Sequence, residues 1–295
     1  MDQRGLPIST AEIEYAENFL ASGDIAGALP YLLELTDAVE EYAEEACQAS
    51  DRVQYFSFAN DFERLAYRRV EGDPRLITQI EVPFDRLYAD LGYAYIAQEE
   101  YALARDALRQ AVRWNPMACA HRLDLAEVYR ALGDEAEWAA LCASVVERAS
   151  DARSLGLAYA NLGWYFRSAG ELLPAAACSR LAARYAPREQ RGQQLASLLE
   201  REHPELADES DARVNGALEE AGVAAGASAE MAICLVSCAT DAAAAGDVNE
   251  ATELTVRARG LVGQEACARL IQMVREADAE RAAAAERAAA DAEGA

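Results

Sequence analysis

Two stretches in the middle of the chain follow the same 34-residue pattern of residue types, and this regularity constrains the fold more than any other feature. From Asp85 the pattern is Tyr88, Leu91-Gly92, Tyr95, Ala104, Leu108, Ala111 and Pro116. From Gly156 it is Tyr159, Leu162-Gly163, Phe166, Ala175, Ala182 and Pro187. Small residues let two helices approach, aromatic residues fill the space between neighbouring pairs, and proline ends the second helix. The pattern therefore predicts helix pairs that bury their apolar faces by stacking on one another.

These residue types at these offsets resemble the tetratricopeptide repeat. The resemblance is clearest over 85–187 and weaker over 9–36 and 232–260. Between the two strong copies, a frame from Cys119 keeps Leu125, Ala126 and Tyr129, but Trp138 replaces a small alanine and Ser150 replaces the proline. The next copy also begins three residues late, so we expect a shifted helix or an enlarged turn there. The resemblance implies an α-solenoid, a right-handed superhelix of helix-turn-helix pairs.

Composition also favours helices. Only 7% of the residues are aromatic and 52% are apolar, and alanine is abundant throughout. Gly-Asp or Gly-Glu turns recur at 131–134, 168–171 and 244–247. One run, 76–82, has the β-branched residues of a strand, but it lies beside two prolines. We therefore expect an all-α fold.

The pattern divides the chain into five parts. We expect an N-terminal helix pair over 1–50 and a helical segment over 51–84 that packs on the core as a helix pair. The central repeats occupy 85–187, and a C-terminal helical segment with a degenerate pair occupies 188–275. The Ala/Glu/Arg-rich tail, 276–295, has helical propensity but no bulky apolar residue to bury, so we expect it to be frayed.

The charge distribution excludes two classes of partner. The net charge is −24, with −11 on each of residues 1–84 and 188–295 and only −2 on 85–187. A phosphate backbone or an anionic membrane surface would be repelled, so we expect no nucleic-acid and no membrane partner. The acidic flanks either attract a basic partner or only keep the helical array soluble. All 27 basic residues are arginine.

Other features indicate a cytoplasmic protein. The first residues lack the pattern of a secretory signal, and no apolar stretch reaches the length of a membrane span. The seven cysteines are an odd number and widely spread, which is typical of buried, reduced thiols.

Signals for catalysis are weak. His121 and His203 are the two histidines, and neither has a cysteine or serine partner at a recognisable spacing. Cys234 and Cys238 share a helical face, but two thiols without further ligands favour a core position over a metal site. We therefore expect no catalytic residues, no metal and no cofactor.

The resemblance implies that the first helix of each pair lines a concave surface that holds an extended peptide or a partner helix. Tyr93 and Trp164 are suited to gripping a peptide, and Arg130 and Arg167 could bind a carboxylate. The alternative is that the aromatic residues pack between pairs and that Glu127 pairs with an arginine. The predicted partner-binding residues are Arg86, Tyr93, Ile96, Leu123, Glu127, Arg130, Trp164 and Arg167.

One subgroup of the tetratricopeptide repeat family binds the C-terminal carboxylate of chaperones through lysine and asparagine side chains, called a clamp. Here the clamp positions hold Ala89, Tyr93, Asp124, Leu157 and Asn161, so that ligand is not expected. The predicted function is a non-catalytic scaffold or adaptor for a protein or peptide, acting as a monomer or weak homodimer. A self-associating structural module and an enzyme with unrecognised acid–base residues remain as alternatives.

Overall fold

A computed structural model describes the backbone of residues 5–293 and the side chains of 5–277 and 279–281. In chain order the elements are α1 (Thr10–Ala21), α2 (Ile25–Ala46), β1 (Val53–Phe56), α3 (Asp61–Glu71), β2 (Leu76–Gln79), α4 (Phe84–Ala97), α5 (Tyr101–Trp114), α6 (Cys119–Ala131), α7 (Glu135–Arg148), α8 (Ala152–Ser168), α9 (Leu172–Tyr185), α10 (Gln190–Glu202), α11 (Asp211–Glu220), α12 (Ala229–Ala245), α13 (Val248–Val262) and α14 (Gln264–Glu293). A short 3-10 helix, Pro204–Asp208, precedes α11. The predicted helical-repeat solenoid is confirmed.

Consecutive helices form antiparallel pairs: α1 with α2, α4 with α5, α6 with α7, α8 with α9, and α12 with α13. Neighbouring pairs also stack, because α2 packs on α4, α5 on α6 and α7 on α8. The stacking buries large side chains such as Trp114, Tyr159 and Leu195. Burial between pairs is therefore the main source of stability in this array.

The five pairs share one turn. The residue two positions before the second helix has a left-handed backbone, with φ of +79° at Gly23, +80° at Gly133, +79° at Gly170 and +85° at Gly246. The next N–H donates to a carbonyl five residues back, as from Asp134 to Tyr129 over 2.9 Å. This geometry caps the free carbonyls at the end of the first helix. In the α4–α5 turn Glu99, with φ of +62°, occupies the glycine position.

Glycines also allow close contact between helices, as the sequence pattern predicts. A Cβ on Gly92 would lie 2.7 Å from Cγ of Leu108 on the partner helix α5. A Cβ on Gly163 would overlap the Leu195 side chain and lie 3.1 Å from Cβ of Cys178. Neither position has room for a side chain at the present helix separation.

Residues 51–84 differ from the predicted helix pair. They contain one helix, α3, between two strands that pair in parallel, with Val53 opposite Leu76 and Phe56 opposite Gln79. The prediction of an entirely helical chain is therefore wrong for this segment, which is inserted between α2 and α4. The run 76–82, whose β-branched residues are typical of a strand, does contain β2, whereas β1 has only four residues and lies in no such run. Moreover, α3 packs on α12, and its Glu63 accepts a hydrogen bond from Asn115 of the first strong repeat over 2.9 Å.

The degenerate repeat keeps an ordinary turn. Its helices α6 and α7 are joined around Gly133, so of the two expectations for this repeat, a shifted helix or an enlarged turn, the α6–α7 turn does not show the second. The three extra residues instead lengthen α8, which has 17 residues where α4 has 14. The large Trp138 is accommodated in the central core.

The C-terminal helices fold back on the array. α11 packs on α9, and α12 packs on α3. The tail that we expected to be frayed continues the helix of α14 as far as Glu293, and residues 294–295 lie outside the described part.

Candidate partner-binding face

The first helices of successive pairs lie side by side. α1 contacts α4, α6 contacts α8, and α8 contacts α10. His121 on α6 joins α4 through a 3.1 Å contact between its Nε2 and Oδ2 of Asp85. We call the surface formed by α1, α4, α6, α8 and α10 the first-helix face.

At one end of this face, two predicted site residues hold α10. The Nε1–H of Trp164 donates to the carbonyl of Arg191 over 3.1 Å. Arg167 bonds Glu202 over 2.8 Å, and its guanidinium lies 5.7 Å from the centre of the Trp164 ring. Both side chains therefore fix α10 against α8, whatever else they contact.

Glu127 lies at the centre of a hydrogen-bonded network between three helices. Arg191 of α10 and Arg130 of α6 bind its carboxylate, with Nη2–Oε2 distances of 2.9 Å each, and Asn161 of α8 donates to it over 3.2 Å. Burial opposes ionisation of Glu127, but the hydrogen bonds and charges of Arg191 and Arg130 outweigh it and lower its pKa. Pairing of Glu127 with arginine, the alternative considered from the sequence, is therefore what the structure shows.

At the other end of the face, Arg86 joins the first two pairs. Its Nε lies 3.0 Å and its Nη2 2.7 Å from the two carboxylate oxygens of Glu17 on α1. This bidentate geometry is favourable, although about two fifths of the Arg86 side chain is exposed.

The three apolar candidates differ in accessibility. Tyr93 is 54% exposed and available to a partner. Ile96 is partly buried against Leu108, Leu125 and Val128, between the second and third pairs. Leu123 is only 7% exposed, so the expectation that it lines the surface is wrong, because this side of α6 packs in the core.

Sequence reasoning missed a carboxyl group, Asp90, that lies between α1 and α6. Its Oδ2 is inaccessible to solvent and has no hydrogen-bond partner among the described residues. Burial first, and then the charge of Glu17, raise its pKa to about 7 against the opposing charges of Arg86 and His121. Its neighbour Asp85 is better satisfied, since its Oδ2 accepts from Nδ2 of Asn115 over 3.0 Å and lies beside His121.

One signal in the sequence pointed to this group. Asp90 and Asp124 are 34 residues apart, so they occupy equivalent positions on α4 and α6. The third equivalent residue, Asn161 on α8, belongs to the Glu127 network.

A hollow of about 540 Å³ lies on α10. It is lined by Trp164, Gln190, Gln193, Gln194, Ser197, Leu198 and Arg201. Four of these seven residues carry an amide or hydroxyl group, which can bond the backbone of an extended chain.

Two further structural results concern metal ions and membranes. Over the residues that the structure describes, no three histidine, cysteine or carboxylate side chains are grouped to hold a metal ion. In the same part of the chain, no helix is both long and apolar enough to cross a bilayer.

Comparison with known proteins finds one repeat of a known family in this chain. A family model described as the tetratricopeptide repeat matches residues 85–116. No curated protein matches the sequence. Among solved structures, a tetratricopeptide repeat protein from Parabacteroides merdae is similar over 90% of this chain and 98% of its own, with 13% identity and a TM-score of 0.33. The matched residues form the helix pair α4 and α5, so this pair is similar to a tetratricopeptide repeat.

Proposed function

We propose that the protein is a non-catalytic scaffold or adaptor that holds an extended segment of a partner protein on its first-helix face. Repeats of this family generally mediate protein–protein interactions. The observation that carries the proposal is the row of first helices, joined by helix contacts and by the bond between His121 and Asp85, which carries the exposed ring of Tyr93 on α4 and the hollow on α10.

The raised pKa of Asp90 is a feature that would also suit an enzyme. A catalytic acid–base pair needs a second group free to exchange protons with a substrate. The neighbours of Asp90 are committed to structural bonds: Asp85 to Asn115 and His121, and Arg86 to Glu17. The arrangement therefore favours binding over catalysis.

Selection of ligands from a displayed library of random 12-residue peptides tests the proposal. Tyr93→Ala should weaken the selected peptides about tenfold, because it removes an exposed aromatic side chain at the binding surface. Met273→Ala is the matched control, since Met273 is 62% exposed on α14, away from the face. Dissociation constants measured by fluorescence anisotropy report the effect.

Two results would contradict the proposal. One is a library that yields no binder above background. The other is a set of binders that are weakened by Met273→Ala and unaffected by Tyr93→Ala. We do not choose Trp164→Ala or Arg167→Ala for this test, because either change would loosen α10.

A further inference from the structure

The first helix pair carries a partly exposed group of aromatic side chains. Tyr15 and Phe19 lie on α1 and Tyr31 lies on α2, and we call these three residues the terminal aromatic cluster. We propose that the terminal aromatic cluster binds an arginine or lysine side chain of a basic partner segment. This site uses neither Tyr93 nor the hollow on α10, so the inference goes beyond the proposed function.

The rings of the terminal aromatic cluster pack edge to face. The centre of the Tyr15 ring lies 5.2 Å from that of Phe19 and 5.3 Å from that of Tyr31, with interplanar angles of 88° and 80°. This geometry is favourable for aromatic pairs and holds the three side chains in place. A ligand that packs on Tyr15 therefore has little side-chain freedom left to remove.

The cluster lies on the side of α1 opposite to α4. Glu17, two residues after Tyr15, binds Arg86 of α4. Two residues turn about 200° around an α-helix, so Tyr15 projects away from α4. Its ring is 54% exposed, and Phe19 and Tyr31 are partly exposed beside it. The cluster is therefore accessible to another molecule.

The equivalent positions of the next helix pair are contact positions. In the repeat frames that begin at residues 9 and 85, Leu91 and Ala107 correspond to Tyr15 and Tyr31. Both are buried in an apolar cluster that also contains Leu35 of α2. This side of a helix pair is therefore the side that packs on a neighbour, and in the first pair it carries aromatic residues.

The charges around the cluster favour a cation. Residues 10–46 contain ten acidic side chains and no basic one. Burial first, and then the charges of Glu12 and Glu34, raise the pKa of Tyr31, so both carboxylates lie near its ring. Among the described residues, the arginine that reaches this helix pair is Arg86, and it is bound to Glu17. A cationic side chain would contact an aromatic ring and lie close to a carboxylate at the same time.

A second copy of this chain is a less suitable occupant. Residues 1–84 and 188–295 each have a net charge of −11. Stacking of two first pairs, or of a first pair on the C-terminal helices of another copy, would bring like charges together. Repulsion opposes both arrangements, whereas a basic segment is attracted.

Nuclear magnetic resonance on isotopically labelled protein tests the site. The probe is a 12-residue glycine/serine peptide with three arginines, and its control has citrulline, an uncharged residue of nearly the same shape, at those positions. The ring signals of Tyr31 report binding at the cluster. The amide signals of Glu219 and Glu220, at the exposed end of α11, report general attraction to a chain with net charge −24.

We expect the arginine peptide to shift the Tyr31 signals to saturation and the citrulline peptide to leave them unchanged. Tyr15→Leu keeps an apolar side chain that favours a helix but removes the ring, and should weaken binding about fivefold. Tyr15→Phe keeps the ring and should bind nearly as tightly as the wild type. Glu34→Gln should weaken binding about twofold, as expected for an exposed charge. Circular dichroism checks that each variant is folded.

Several results would overturn the inference. The Tyr31 signals could stay unchanged with the arginine peptide, or shift equally with the citrulline peptide. Tyr15→Leu could bind as tightly as the wild type, or Glu219 and Glu220 could give the same dissociation constant as Tyr31. A wild-type dimer in light scattering that Tyr15→Leu dissociates would show that a second copy covers the cluster. The proposed function would stand in each case, because its test depends on Tyr93.

Discussion

Gly156 illustrates how a single hydrogen atom in place of a side chain sets the spacing between helices. A Cβ at this position would lie 2.7 Å from the backbone nitrogen of Ala186, just after α9 ends. Because the neighbour is backbone, it cannot move aside as a flexible side chain would. Gly156→Ala should therefore lower the free energy of unfolding by about 1–3 kcal/mol.

Gly216 provides the control for this change. It is also helical, but a Cβ there meets no atom within 4 Å. Gly216→Ala should raise the free energy of unfolding by about 0.5–1 kcal/mol through helix propensity. Urea denaturation followed by circular dichroism measures both, and equal effects of the two substitutions would contradict the packing argument.

Asp90 makes stability depend on pH. Its pKa rises from 3.8 to about 7 on folding, so between these values the folded state binds more protons than the unfolded state. Stability from this group is therefore present at low pH and is lost as the pH rises through about 7. Asp90→Asn cannot ionise and should gain about 1–2 kcal/mol over the wild type between pH 5 and pH 8, allowing for the solvent that reaches this carboxyl. A constant difference across that range, in urea melts, would contradict the assignment.

The sequence predicted some of these residue roles and not others. The Leu-Gly positions at Gly92 and Gly163 were predictable because close helix contact requires a small residue at a fixed place in the repeat. Asp90 was not, because its burial depends on Glu17 and His121, which belong to other helices. Arg191 was missed for the same reason, since it reaches Glu127 from α10.

At the scale of the element, the turn between α4 and α5 departs from the other four. Glu99 has a left-handed backbone, whereas glycine occupies this position in the other turns, and its side chain is exposed. Glu99→Gly should raise the free energy of unfolding by about 0.5–1 kcal/mol by relieving the steric cost of a Cβ there.

The reciprocal change tests the same idea in a turn that already has glycine. Gly133→Ala should destabilise the protein by about 1 kcal/mol, because its φ is +80° and no contact compensates. Thermal denaturation compares the two variants. A destabilised Glu99→Gly protein would show that the glutamate side chain contributes more than the backbone strain removes.

The insertion between α2 and α4 contains secondary structure that the local sequence does not predict. Its aromatic residues Phe56, Phe58 and Tyr67 are buried and pack on one another. The strand β1 could not be predicted, because it is stabilised by pairing with β2, whose residues lie 23 positions further along the chain, and not by a local pattern. The helix pairs, by contrast, are predictable because the residues that determine each pair lie within one 34-residue repeat.

At the scale of the molecule, the C-terminal helices are tied to the central repeats by a few specific contacts. The hydroxyl oxygen of Tyr159 on α8 accepts from the N–H of Gly226 over 2.8 Å and lies 2.8 Å from the carbonyl of Ala224. Arg257 on α13 lies 4.9 Å from the ring of Phe62 on α3. The C-terminal segment is therefore joined to both the array and the insertion.

Tyr159→Phe tests the importance of this connection. The change keeps the ring, which stacks on Tyr185, but leaves the partly buried polar groups of the 224–226 loop without their partner. We expect a loss of about 1–3 kcal/mol in the free energy of unfolding. Amide hydrogen exchange should accelerate most near Gly226. Uniform acceleration over the whole chain would contradict a local role for the Tyr159 hydroxyl.

The central claim is that the first helices of the array form one binding face, and nuclear magnetic resonance tests it most directly. The tightest peptide from the random library is titrated into isotopically labelled protein, and the backbone amide shifts are followed. The account predicts that the largest changes lie in α4, α6, α8 and α10, around Tyr93 and Asp124. Changes confined to the second helices α5, α7 and α9, or to α12–α14, would contradict it.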